Sequence, residues 1–328
     1  MSLSFFLDKP SRHRRLGTPQ MADNGIRRFF YESFPNTRSF VMEQNRKLAQ
    51  VHTVRPESSQ DQPVPYGELG MAIDYRIRYY FATTPYTELV AFGGVRRHMQ
   101  TLDRTYSLPP TLISWFFEDL ERFLGQVNPC GRALGRVQER QLNRYCFVLA
   151  LFEQLFRITP HPKNLLFAQK NISTVTDLLS IADDLWIDDL GSLSNRFYEH
   201  QREHLSDPVH LNPTFTGSGD IGGADADLIL NKCLLDIKNT VTPKITNTML
   251  YQLIGYALLD YEDEYHIDKL GIYLARQGKT LQWDLNELLD RLHTDTPAPP
   301  LAELRHQLKN TILTTTGTYQ PQQQTANE

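Results

Sequence analysis

The chain predicts an α/β protein of the α+β kind: a mixed β-sheet core flanked by helices, preceded by a largely α-helical N-terminal region. Three observations lead there. From residue 66 to residue 205, apolar residues recur every three or four positions, the period of a helix with one buried face. Residues 224–238 and 269–285 each hold two short runs with turn residues between them, which reads as a β-hairpin. A helical pattern at 249–261 separates the two hairpins, so the sheet has helices beside it. The chain then divides into an irregular basic region (1–65), a helical region (66–205), a sheet-containing core (206–293), and a C-terminal helix with a disordered tail (294–328).

Local signals support each element in turn. Residues 26–34 and 39–52 read as short helices, and 55–65, RPESSQDQPVP, as an exposed loop. Residues 66–81 place Leu69, Ala72, Ile73, Ile77 and Tyr80 on one helical stripe, with Asp74, Arg76 and Arg78 on its outside. Such a helix belongs in a core, although aromatic residues beside arginines also suit base stacking and phosphate contact. Pro109-Pro110 start a helix that ends by Asn128-Pro129. Residues 136–157 carry the longest stripe and centre the helical core, with Arg140 and Arg144 solvated on its surface.

Residues 159–162 break the chain, and 173–185 resume as a helix capped by Ser173 or Thr174. Asp183, Asp184, Asp188 and Asp189 lack the spacing of a calcium loop and read as a solvated acidic face. Residues 191–205 read as a helix with Glu199, His200 and His204 exposed, the histidines one turn apart. Residues 240–248, with Pro243 and Lys244, form a loop before the helix at 249–261. A hairpin around Gln277-Gly278 extends the sheet, with Arg276 at its turn within reach of phosphate. Residues 286–293 and 301–313 are the last helices.

The chemistry concentrates between residues 216 and 259. Residues 224–230 and 233–238 alternate short polar and apolar side chains, with Asn231-Lys232 as a two-residue turn. That turn pairs Leu230 with Cys233, sets Asp227 opposite Asp236, and sets Asp225 opposite Lys238. Strand side chains repeat every two residues. Asp225, Asp227, Asp236 and Lys238 therefore share one face, and Leu228, Leu230, Leu235 and Ile237 share the other. Like charges opposed on a sheet destabilise it, and a divalent cation removes that cost. Mg²⁺ takes oxygen ligands, only one or two of them protein carboxylates.

This pattern resembles the PD-(D/E)XK nuclease superfamily, and within it the RecB-like branch. The resemblance covers about residues 195–290. It rests on Asp225 or Asp227 as the first acidic position, on Asp236-Ile237-Lys238 as the D-x-K, and on 251–256, YQLIGY, as the following helix. It implies a Mg²⁺- or Mn²⁺-dependent deoxyribonuclease. Asp227 or Asp225, Asp236 and the Ile237 carbonyl would hold the metal, Lys238 would align or activate the attacking water, and Gln252 would support the site. In the family, a helix before the hairpin supplies a His or Glu near the metal, and His200, His204 and Glu199 are the residues here in position to match. Lys244, Tyr256 and Arg276 would meet the nucleic acid. No G-x-x-x-x-G-K-[ST] is present, so ATP-driven unwinding would need a helicase partner.

The totals bound these expectations. Hydrophobic content of 40% and charged content of 22% fit a globular protein, and no apolar run is long enough for a membrane span. The three cysteines lack paired spacing and fit reduced thiols in a cytoplasm. A net charge of −4 counts against tight nonspecific binding to nucleic acid. Arg12, Arg14, Arg15, Arg27, Arg28, Arg38, Arg46 and Lys47 nevertheless give the first region a basic face suited to it.

Overall fold

Asn231 and Lys232 both take left-handed backbone angles, φ 47° and 62°. Two such residues make the mirror-image turn whose twist suits a tight hairpin. The computed structural model describes residues 3–7, 24–57, 63–157, 160–161, 164–168, 172–294 and 297–317. Within them a five-stranded mixed sheet comprises β1 (Val209–Leu211), β2 (Leu228–Leu230), β3 (Cys233–Lys238), β4 (Lys269–Leu274) and β5 (Lys279–Asp284), in that spatial order. The turn joins β2 to β3 with Leu230 opposite Cys233, the expected register. β3 and β4 are parallel, and the other neighbours are antiparallel. β1 escapes the sequence reading because three residues are too few to show alternation.

The helices are α1 (Leu3–Leu7), α2 (Gly25–Ser33), α3 (Thr37–Leu48), α4 (Tyr66–Phe81), α5 (Val90–Tyr106), α6 (Pro110–Val127) and α7 (Arg136–Arg157). They continue with α8 (Leu165–Ala168), α9 (Val175–Leu179), α10 (Asp184–Gln201), α11 (Asn247–Leu259), α12 (Leu285–Leu292) and α13 (Leu301–Gly317). α6 starts on Pro110, whose missing N–H costs nothing in a first turn. The helix expected over 173–185 is two helices. Thr174 caps α9 in a reciprocal box with Asp177, and Asp183 caps α10 by accepting from the Leu185 N–H. α13 extends past residue 313. Arg12, Arg14, Arg15, the tail from residue 318 and parts of the 55–65 loop and the 159–162 break lie outside the described residues.

The sheet separates two cores. Leu228, Leu230, Leu235, Ile237 and Tyr273 pack with the apolar faces of α4, α5, α6, α7 and α10. Ile229, Leu234, Leu270, Ile272 and Leu274 pack with α1, α2, α11 and α13. Burying each such leucine or isoleucine contributes about 1.5–3 kcal/mol. The predicted stripe of α4 is buried as expected. No helix among the described residues is long and apolar enough to cross a membrane.

Several charged side chains lie where the sequence reading did not put them. Arg76 is fully buried, bonds Glu139 through two nitrogens at 2.9 Å each, and lies 3.7 Å over the Tyr80 ring. Arg140 pairs with Asp184 and Asp188. Arg144 donates to the Leu179 and Ala182 carbonyls at 2.9 Å, so both arginines clasp α7 to the start of α10. Arg276, expected at a phosphate, is fully buried and bonds Asp189 at 2.9 and 2.8 Å. Asp189 in turn is buried rather than solvated. A planar guanidinium can satisfy a carboxylate through two bonds at once, which offsets the desolvation of both.

Breaking such a pair leaves one charge buried alone. Arg276→Met is expected to lower the unfolding free energy by about 3–5 kcal/mol, and adding Asp189→Leu to restore at least half of the loss. Urea unfolding of both variants measures this. A loss below about 1 kcal/mol in the single variant would show that the pair is dispensable.

Candidate active site

Strand alternation turns Asp236 and Lys238 to the α11 side of the sheet, the side on which Leu234 packs. Asp227 reaches the same place from the residue before β2. Its Oδ2 accepts a hydrogen bond from the Ile237 N–H at 2.5 Å. Lys238 Nζ lies 2.7 Å from Asp236 Oδ2 as an ion pair. It also donates to Gln252 Oε1 at 3.3 Å. Gln252 Nε2 donates to the Tyr256 hydroxyl at 2.7 Å, one turn further along α11. Thr246 caps α11 by accepting from the Met249 N–H, which fixes where that helix begins.

The helical region closes the other side. α4 contributes Asp74 and Arg78, an ion pair one turn apart. α7 contributes Glu153 and Arg157. Arg157 Nη2 lies 2.7 Å from Glu153 and 3.4 Å from Asp225, and the Tyr75 hydroxyl donates to Glu153 at 2.7 Å. The half-open cavity between them measures about 330 Å³, in the range of small-ligand sites. Five carboxylates and three cations line it.

That imbalance shows in the proton affinities. Burial raises the Asp74 carboxyl to about 6, against the pull of Arg78 and with Glu153 and Asp225 adding to it. Burial also pushes Asp227 well above the usual carboxylate range, reinforced by Asp74 and Asp236. Burial opposes the charge on Lys238, but Asp236 and Asp227 outweigh it and hold the ammonium above its ordinary value. Lys238 is therefore a cation at neutral pH.

The donor set fits a hard divalent cation. Asp236 Oδ2 is buried and, despite the nearby ammonium, has no hydrogen bond of suitable angle. With Asp227 and the Ile237 carbonyl it offers only oxygens, as Mg²⁺ prefers. Among the described residues no three His, Cys, Asp or Glu side chains form a metal-holding group by themselves. Two carboxylates, a backbone carbonyl and waters are the coordination expected of Mg²⁺.

Several expected site residues sit elsewhere. Asp225 is not opposite Lys238: its backbone bridges Thr214, and its carboxylate pairs with Arg157 at the cavity edge. The reason is that β2 starts only at Leu228, and the Asp227 carbonyl accepts from the Asn212 N–H instead. His200 and His204 do not share a helical face, because α10 ends at Gln201 and His204 lies in the following 3₁₀ turn. His204 faces Asp207 at 3.1 Å, and the His200 ring lies by Gly278 at the β4–β5 turn. Neither histidine lines the cavity, and nor does exposed Lys244 or buried Arg276. Tyr256 lines it, but almost fully buried.

Asp74, Arg78, Glu153 and Arg157 take the place expected of the 191–205 helix. A signal for them was available. Gly67, Gly70, Asp74 and Arg78 recur at helical spacing beside the apolar stripe of α4, and Glu153 is a lone acid within the apolar run of α7. Comparison with protein-family models, curated proteins and solved structures returns no match.

A carboxyl whose folded affinity for protons exceeds its unfolded one stabilises the fold at low pH and stops doing so as pH rises. For Asp74 that window runs from about 4, the unfolded value, to about 6. The metal-free protein is thus expected to lose thermal stability across it. Asp74→Asn should flatten that slope and raise Tm at pH 8 by a few degrees, about 2–4 °C per kcal/mol regained. Mg²⁺ should raise the wild-type Tm more at pH 8 than at pH 5. Scanning calorimetry at the two pH values reads all three, and an equal Mg²⁺ effect at both would contradict the carboxylate account.

Proposed function

We propose that the chain is a Mg²⁺- or Mn²⁺-dependent phosphodiesterase acting on DNA, of the PD-(D/E)XK kind and its RecB-like branch. One observation carries this reading. Asp227, Asp236 and Lys238 converge at the end of β3, with Gln252 of the next helix bonded to the lysine. A divalent metal bound there supplies Lewis-acid polarisation of a phosphoryl oxygen and a bound water of lowered pKa.

The chain's own residues divide the remaining work. Asp227 and Asp236 provide the acidic oxygens, and the Ile237 N–H holds Asp227 in position. Lys238, kept charged by its carboxylate neighbours, is suited to orient the attacking water and to stabilise negative charge on the phosphate as it develops. Gln252 holds the ammonium, and Tyr256 holds Gln252. Asp74 adds negative charge from the opposite wall, and Arg78 and Arg157 supply positive charge there for substrate phosphates. The three cysteines are free, which fits a reducing, cytoplasmic setting. Without a nucleotide-binding motif, unwinding of duplex DNA would fall to a helicase or another partner.

Incubation with linear and circular DNA, single- and double-stranded, in Mg²⁺, Mn²⁺ or EDTA tests the proposal. Cleavage is expected with either metal and not in EDTA. Asp236→Ala and Lys238→Ala are each expected to lower it about 10²–10⁴-fold while remaining folded. Absence of cleavage by the wild type in every condition, with DNA binding retained, would instead assign the site to nucleic-acid binding without hydrolysis.

A further inference from the structure

The chain carries a net charge of −4, so a polyanion can follow its surface only where carboxylates are absent or already paired. Two stretches meet that condition. Residues 239–246, which lead from β3 to α11, hold no acid, and α3 holds only Glu43. Glu43 is paired with Lys47 at 3.0 Å and with Arg291 at 2.8 Å. Round the helix from it, Arg38, Met42 and Arg46 follow one another four residues apart, so they run along one side. All three are exposed, Met42 to 51%. Among the described residues Arg38 and Arg46 have no ion pair, and neither has the exposed Lys244.

The fold joins these stretches to each other and to the cavity. Asn45, beside Arg46, donates to the Ile245 carbonyl at 2.9 Å and accepts from the Ile245 N–H at 2.8 Å. α3 and the residue after Lys244 are thereby locked together. Gln277 fixes the other end of the loop by donating to the Thr240 carbonyl at 3.1 Å. Asn239, one residue earlier, lines the cavity. Five residues of chain reach at most ~18 Å, so Lys244 stands no further than that from the cavity wall. From Arg38 to Arg46 the helix advances ~12 Å. Together the two stretches match at most about nine nucleotides at ~3.4 Å each.

We infer that DNA leaving the cavity runs over the 240–246 loop and along α3, with Lys244, Arg46 and Arg38 on its phosphates. This deepens the phosphodiesterase reading and rests on it for the identity of the ligand. The three cations are held by no carboxylate, so a phosphate need not displace one to reach them. Met42, between the two arginines, offers a flexible apolar side chain that adapts to the sugars. Contacts to phosphate and sugar position a strand without reading its bases, so the path adds affinity and register but no sequence preference. Each neutralised phosphate releases condensed counterions, which makes the contribution dependent on salt.

Binding of the full chain carrying Asp236→Ala, in Mg²⁺, to fluorescein-labelled DNA of increasing length tests the path apart from cleavage. Affinity is expected to rise with length until the DNA extends about nine nucleotides past the cavity. Replacing Arg38, Arg46 and Lys244 together with alanine should remove most of that rise and weaken binding to the longest DNA at least about tenfold. It should also lower the slope of log affinity against log salt by about 2–3, and each substitution alone by about 0.7–0.9. Arg136→Ala removes an exposed charge at the far end of α7, ~30 Å from Arg157, and should leave the slope and the length dependence unchanged. An unaltered length dependence and salt slope in the triple variant, folded by circular dichroism, overturns the inference, as does absence of DNA binding. Displacement of the DNA by polyglutamate as readily as by unlabelled DNA would assign the face to an acidic protein and overturn it too. A length dependence that needs the three cations, without any cleavage by the wild type, upholds the path and overturns only the hydrolase reading.

Discussion

The turn at Asn231-Lys232 sets the register of β3 against β2, and the chemistry of the cavity depends on that register. A slip of one residue would move Asp236 and Lys238 to the opposite face and turn Leu235 and Ile237 into the cavity. The two cores hold the register from either side. Leu235 and Ile237 are packed into the helical core and Leu234 into the core around α11. The acidic end of β3 is therefore held in place by apolar burial along the rest of the strand.

With the strand in place, the cavity becomes a problem of like charge. Asp74 approaches from α4, Asp227 from the segment before β2 and Asp236 from β3, and each raises the proton affinity of Asp227 or is raised in turn. Lys238 offsets part of this repulsion and stays protonated because of it. Arg78 and Arg157 offset more at the opposite wall. Each cation is itself held by a second contact: Lys238 by Gln252, Arg78 by its two-oxygen contact with Asp74, and Arg157 by Glu153. The charges are thus positioned before any ligand arrives, which is the arrangement that lets an active site stabilise developing charge without reorganising.

The arginine pairs away from the cavity do structural work. Arg76–Glu139 ties α4 to α7, and Ser194 of α10 donates to the same Glu139. Arg276–Asp189 ties the β4–β5 turn to α10. Through these contacts the wall carrying Asp74 and Glu153 is held against the sheet carrying Asp236. Arg276 also shows why a positive side chain need not meet substrate: its guanidinium is consumed by the buried carboxylate of Asp189.

The local pattern by itself determined the mixed α/β class, the span of α7, the stripe of α4, the hairpin turn and register, and the shared face of Asp227, Asp236 and Lys238. Each of these follows from a period of 2 or 3.6 residues or from the demands of a two-residue turn. It also placed Gln252 and Tyr256 on one face of α11. The tertiary structure decided what meets that face. Asp74, Glu153, Arg78 and Arg157 are distant in sequence, and only the packing of α4 and α7 against the sheet brings them to Asp227. The same packing removed Arg276 and the two histidines. Whether a charged side chain is solvated, paired or catalytic depends on the surface pressed against its helix, and one chain's periodicity carries no record of that partner.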